Sequence, residues 1–151
     1  MSKYSSGSND VIRAIAPSRI ALTGSLNVFQ YLTKIDYIDA TWTENLTADI
    51  GIALFSCYKL YYVALNYAKW NTSTNWNYNT PSGNFAGDIA VLGNKYDLKS
   101  VDFTRCSQIT GKLSDLKNLK KLYRFWAGSG QVTGSKADLW DGGANVYAFS
   151  I

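Results

Sequence analysis

Apolar residues recur along this chain around a repeated glycine turn. Leu22-Thr23-Gly24-Ser25-Leu26, Phe85-Ala86-Gly87-Asp88-Ile89, Ile109-Thr110-Gly111-Lys112-Leu113 and Val132-Thr133-Gly134-Ser135-Lys136 share an apolar-x-Gly-x-x frame. Gly87 and Gly111 are 24 residues apart, Gly111 and Gly134 are 23 apart, and a weaker copy, Leu46-Thr47-Ala48-Asp49-Ile50, lies 24 after the first. After Gly24, apolar residues follow at Leu26, Phe29, Leu32 and Ile35. After Gly111 the same offsets give Leu113, Leu116, Leu119 and Leu122, so two segments 87 residues apart match at the turn and four positions. The third copy has Ile89 and Leu92 in place, then Leu98 and Val101 three residues late. A fixed period in this range predicts a solenoid, in which each unit buries its apolar side on its neighbours. The glycine marks a turn where a Cβ would clash.

The string Val101-x-Phe103-x-x-Cys106-x-x-Ile109-x-Gly111 resembles the leucine-rich repeat, and its continuation to Leu113 resembles the plant-type variant with repeats near 24 residues. The resemblance covers roughly residues 20–151. It implies a repeat solenoid with a parallel β-sheet on one face, mostly β or irregular with short helical or 3-10 return segments. The expected organisation is an N-terminal tail and cap over 1–20, then about five repeats over 21–151 with an insertion at 70–84. Residues flanking the inward positions, Ser100, Asp102, Thr104, Lys121 and Tyr123, would face outward on a sheet that is usually concave. Cys106 would bond the turn backbone and behave as a small buried residue. The pattern breaks at Arg124, where an inward residue is expected. The strand there must bulge or shift register, since a one-residue slip exchanges its faces. In the last copy Gly142 and Asn145 stand where Leu is expected.

The insertion stretches the spacing from Ala48 to Gly87 to 39 residues and contains no charged side chain between Trp70 and Asn84. Insertions in repeats map to loops, often on the binding face. Trp70, Trp76 and Tyr78 offer flat apolar faces, and Asn75 and Asn77 offer amides. That combination suits a protein surface or a sugar ring; equally, the two Trp can fold back over the solenoid.

The absence of His from all 151 residues removes the commonest general base and metal ligand. Gly-rich phosphate loops are missing too, and the pairs Asp36/Asp39 and Asp138/Asp141 fall in segments that read as exposed. The sequence therefore predicts no enzyme and no cofactor. Cys57 and Cys106 form no metal motif. They fall in neighbouring repeats once the insertion is looped out, which leaves a disulfide and two core thiols both open. The net charge of +4 is mild and does not point to nucleic acid. A basic run, Lys112, Lys117, Lys120, Lys121 and Arg124, alternates with inward Leu residues and reads as the solvated side of one repeat. The stretch from Ile50 to Leu65 is interrupted by Lys59 and is too short to span a membrane. Residues 1–9 are polar, without a signal-peptide core, which predicts cytoplasmic synthesis.

Residues 144–151 alternate in apolar character and read as a strand. Solenoids need polar end caps, and an open strand edge invites pairing, so Val146, Tyr147, Phe149 and Ile151 are candidate oligomer contacts. Two functions follow. One is a non-catalytic module recognising a protein or glycan through the repeat sheet and the aromatic loop. The other is a structural subunit of a larger assembly, such as a phage virion fibre or decoration protein. A protein partner or a homo-oligomer is expected in either case.

Overall fold

A computed structural model describes residues 12–17, 22–43, 45–66, 82–128 and 130–151. Each turn of the chain contributes one strand to each of two parallel sheets. The long sheet runs in the order β1 (Ala14–Ile15), β3 (Tyr37–Asp39), β5 (Tyr62–Ala64), β7 (Ser100–Asp102), β9 (Arg124–Trp126) and β11 (Ala148–Ser150). The short sheet holds β2 (Thr23–Ser25), β4 (Asn45–Asp49), β6 (Ser82–Asp88), β8 (Cys106–Lys112) and β10 (Gln131–Thr133). Return segments are short helical pieces: 3-10 at Leu26–Tyr31, Ile89–Leu92, Leu113–Leu116 and Lys136–Asp138, a kinked one at Trp140–Gly143, and α1 at Ile50–Ala53. The chain is thus a repeat solenoid, mostly β with short helical returns. Among the described residues no helix is long and apolar enough to cross a membrane.

The glycine frame sits in the short sheet. Gly24, Gly87, Gly111 and Gly134 have φ of 126°, 120°, 124° and 112°, a region that side chains with a Cβ rarely enter. The residue after the glycine starts the return turn: Ser25 and Asp88 accept hydrogen bonds from Asn27 N and Ala90 N, and Asp49, after Ala48, does the same for Gly51 N. Neighbouring strands here are offset by two residues, pairing Gly24 with Leu46, Ala48 with Phe85, Gly87 with Ile109 and Gly111 with Val132. An even offset keeps every apolar residue on the core side. In the long sheet the equivalent residues pair directly: Ile15, Ile38, Val63, Val101, Phe125 and Phe149 form one row.

The core fills the space between the sheets with Leu, Ile, Phe and Val, nearly all fully buried. Copy three is not displaced. Its inward row reads Ile89, Leu92, Lys95, Leu98 and Val101, and Lys95 is 0% exposed. A lysine occupies the position held elsewhere by Leu119 or Leu32. Copy two carries one residue more between Ile50 and Val63. An α-helical turn absorbs it, with Leu54 N bonded to Ile50 O at 3.0 Å, so that Ala53 and Leu54 both face inward. In the last copy the inward residues are Leu139, Gly143, Val146 and Phe149. The extra residue is taken up by a left-handed kink at Asp141, Gly142 and Gly143, with φ of 51°, 59° and 74°. Gly142 and Asn145 therefore do not occupy the leucine positions.

One further expectation changes. The strand at Arg124 neither bulges nor slips: Ser100, Val101 and Asp102 pair with Arg124, Phe125 and Trp126 in sequence. Leu122 is the inward residue of the preceding turn, and Phe125 is that of the strand. Within the segment expected to be tail and cap, Ala14–Ile15 forms β1 at the end of the long sheet, in register with β3. β6 begins at Ser82, within the span expected for the insertion, and residues 67–81 lie outside the described residues.

Both cysteines are buried thiols that form no disulfide with each other. Cys106 Sγ donates to Leu65 O at 3.1 Å, tying the turn to the preceding repeat, and its backbone N bonds Phe103 O. Cys57 lies in the return segment of copy two with Sγ 3.6 Å from Ala53 O.

Candidate interaction face

Alternation along each strand of the long sheet turns the first and third residues outward. The first row reads Ala14, Tyr37, Tyr62, Ser100, Arg124 and Ala148. The third-position row holds Asp39, Ala64, Asp102, Trp126 and Ser150. Direct register brings equal positions to strand spacing, so Tyr37 and Tyr62 stack with ring centroids 4.6 Å apart and planes 9° apart. Tyr61, one residue earlier, tilts against Tyr37 at 5.9 Å.

Arg124 joins the two rows. Its guanidinium carbon lies 3.6 Å from the Trp126 ring centre, and Nη2 donates to Asp102 Oδ2 at 3.3 Å. Asp102 is buried and also accepts from Thr104 N at 3.0 Å. Asp39 does the same for Thr41 N and Oγ1 at 3.1 and 2.7 Å. Ser100 is a small, buried residue between Tyr62 and Arg124. Among the described residues, Ser100 Oγ and Arg124 Nε find no hydrogen-bond partner. Burial, followed by the charges of Asp39 and neighbouring Tyr37, pushes the Tyr62 phenol up to about 12. Tyr37 is raised for similar reasons, burial first and then Asp39 and Tyr61. Both rings are neutral hydroxyl donors at physiological pH. The face offers planar apolar surface, a stacked guanidinium and fixed carboxylates, a composition suited to recognition.

Of the residues expected outward, Ser100 and Asp102 lie in these rows, and Thr104 follows the end of β7. Asp102 is held in the Arg124 pair and the Thr104 turn. Lys121 and Tyr123 do not belong to the strand rows. They precede β9, in the lead-in to the sheet, because the strand frame starts at Arg124. Lys121 Nζ pairs with Asp97 Oδ1 at 2.6 Å. Trp70, Asn75, Trp76, Asn77 and Tyr78 lie outside the described residues. At the C-terminal strand, Val146 is inward and buried, so it is unavailable as a contact. Phe149 packs against the core beside Phe125, at 6.3 Å between ring centres. Tyr147 and Ile151 are the exposed pair, at 84% and 44%. Sequence reading passes over Tyr37, Tyr62 and Trp126 as face residues. Aligning the chain on its strand centres, rather than on its glycines, brings them into one surface.

Beside this face, at the lead-in ends of the strands, lies a cavity of about 450 Å³. Arg13, Lys34, Lys59, Lys99 and Lys121 line it, with Asp36, Asp97 and Tyr61. The hydrogen bond from Lys121 is the main reason the Asp97 carboxyl sits below its ordinary value, and the charges of Lys121, Lys59 and Lys99 add to it.

No family model and no curated protein matches the chain. Solved structures do. An internalin from Listeria monocytogenes superposes on 93% of the chain with a TM-score of 0.59 and 14% identity. The leucine-rich-repeat ectodomain of the receptor kinase SOBIR1 from Arabidopsis thaliana covers 83% with a TM-score of 0.51 and 17% identity. The ectodomain of the Arabidopsis receptor kinase GASSHO1/SCHENGEN3, in complex with Casparian strip integrity factor 2, covers 80% with a TM-score of 0.50 and 15% identity. The chain spans 35%, 58% and 16% of those three chains respectively. The parallel sheets, the glycine turns and these superpositions together establish that the chain has the leucine-rich-repeat fold.

Proposed function

We propose that this protein is a non-catalytic interaction module that binds a protein partner on the outer face of its long sheet. The observation that carries the reading is the Tyr37–Tyr62 stack beside the Arg124–Trp126–Asp102 cluster. Rigid aromatics and a stacked arginine are the residue types that dominate binding energy at protein interfaces. Register holds them in place before any partner arrives, which lowers the ordering cost of binding. The GASSHO1/SCHENGEN3 ectodomain, which shares the fold, is seen in complex with Casparian strip integrity factor 2, in keeping with a solenoid that serves as a binding surface.

The test is selection of a displayed random-peptide library on the wild-type protein, with the enriched peptides re-measured on Tyr62→Ala and Trp126→Ala. Peptides that lose about tenfold or more in affinity on either variant support the reading. Peptides that bind both variants as tightly as wild type refute it, provided the variants keep the wild-type circular dichroism spectrum.

A second reading, a subunit of a self-associating assembly, is favoured by β11. Its outer edge pairs with nothing among the described residues, and Tyr147 and Ile151 are exposed beside it. Light scattering on wild type and on Ile151→Asp separates the readings: a wild-type oligomer that the substitution dissociates supports the assembly, and a monomer in both removes it.

A further inference from the structure

The cationic cavity is built by the repeat itself. Its outer row takes the residue just before the inward residue of each lead-in, namely Lys34, Lys59, Asp97 and Lys121 before Ile35, Leu60, Leu98 and Leu122. Its inner row takes the residue just before each strand, Arg13, Asp36, Tyr61 and Lys99. Backbone bonds chain that inner row across the repeats, Asp36 N to Arg13 O at 2.9 Å, Tyr61 N to Asp36 O at 2.8 Å and Lys99 N to Tyr61 O at 2.9 Å. The charged side chains therefore spring from a backbone ladder with steps of about 4.8 Å.

Charge in the cavity is unbalanced. Five cations face two carboxylates, and among the described residues the ion pair there is Lys121–Asp97. Arg13, Lys34, Lys59 and Lys99 gather like charge in one place without contributing to the core, and their summed field attracts an anionic occupant. The spread of charge over several repeats matches an extended ligand better than one small ion. Asp36 and Asp97 interrupt both rows, so a phosphodiester chain, with a charge at every unit, would meet repulsion along the path. An extended polypeptide alternates its side chains and carries N–H donors for those carboxylates.

We infer that this cavity receives an acidic, extended segment of a protein partner, whose Asp or Glu carboxylates pair with Arg13, Lys34, Lys59 and Lys99. This rests on the protein-interaction reading above and gives that partner its chemistry.

The experiment is fluorescence anisotropy with a labelled oligoglutamate peptide, an oligolysine peptide and an oligothymidylate of equal length. Each is titrated onto wild type, Lys59→Glu/Lys99→Glu and, as an equal-charge control, Lys112→Glu/Lys117→Glu on the far side of copy four. The inference expects oligoglutamate to bind wild type, to weaken by about tenfold between roughly 50 and 300 mM salt, and to lose at least about tenfold on the cavity variant. The control should stay within about twofold of wild type. Equal losses on both variants, tighter binding of oligothymidylate, or no binding of oligoglutamate would overturn it. Because Tyr62 and Trp126 are untouched in these variants, library peptides that still depend on those two residues would leave the wider reading standing while this one fell.

Discussion

One carboxylate oxygen of Asp88 serves two repeats. It accepts the hydrogen bond from Ala90 N at 2.8 Å that starts its own return turn, and it fills the space a Cβ on Gly111 would need in the next repeat. Gly111 is therefore fixed twice, by its φ of 124° and by its neighbour's cap. Gly24 has the same backbone, with φ of 126°, but a Cβ there would meet nothing within 4 Å. The comparison separates strain from clash. Gly24→Ala should cost roughly 1 kcal/mol from backbone strain alone. Gly111→Ala should cost roughly 3 kcal/mol, because the Asp88 cap must also move. Urea denaturation of both variants measures the difference, and equal costs would show that the cap yields freely.

Lys95 lies at an inward position of copy three, with its ammonium 5.4 Å from the Tyr58 ring centre and 3.4 Å from Asn94 Oδ1. Burial brings its pKa from 10.5 down to about 8. The unfolded chain keeps this proton up to about pH 10.5, and the folded chain releases it near 8. Folding is thus penalised below about pH 8, and stability rises with pH from there. Cys57, pushed up by burial, opposes the trend above its ordinary 9.0, and Tyr37 and Tyr62 oppose it above 10.0. The clean window is about pH 8 to 9. Lys95→Met, which keeps the volume, should raise stability at pH 7 by roughly 2 kcal/mol and flatten the rise across that window. Denaturation midpoints at several pH values check both parts.

Lys95 also shows what sequence reading misses and why. Counting apolar residues makes copy three look three residues late, because a buried lysine is invisible to hydropathy. The same limitation makes Arg124 look misplaced, when Leu122 and Phe125 are the inward pair on either side of it. Copies with regular spacing, such as Gly111 followed by Leu113, Leu116, Leu119 and Leu122, are fully legible: the turn, the return and the core all follow from them. Copies two and five each carry one extra residue, absorbed by an α-turn and a left-handed kink, and neither device leaves a strong mark in composition. The candidate face is half legible. Ser100 and Asp102 belong to a recognisable strand, but Tyr37, Tyr62 and Trp126 emerge as one surface only once strand register is known.

The cysteines give a third prediction. Cys57 and Cys106 are both buried and each Sγ lies against a backbone carbonyl, Cys106 at 3.1 Å from Leu65 O. A thiol reagent should label neither residue in the native protein and both after denaturation, with no change in stability on adding reductant. Cys106→Ala should cost roughly 1–2 kcal/mol through the lost tie between repeats and the small cavity left behind. Labelling stoichiometry and a urea midpoint read these two effects separately.

Asp97 and Lys121 are joined by a short ion pair, yet their side chains remain 44% and 56% exposed. Solvent screens such a pair, and fixing two flexible side chains offsets most of the Coulomb gain. Lys121→Ala should therefore change stability by less than about 0.5 kcal/mol, and the change should vanish in about 1 M salt. Asp97 is held below its ordinary 3.8, first by the Lys121 hydrogen bond. Whatever the pair contributes is present above pH 3.8 and is lost as pH falls through the lower folded value. A larger loss at neutral pH, insensitive to salt, would mean that Lys121 supports the lead-in to β9 by packing rather than by charge. Unfolding curves in low and high salt decide between the two, since screening removes a charge effect and leaves a packing effect in place.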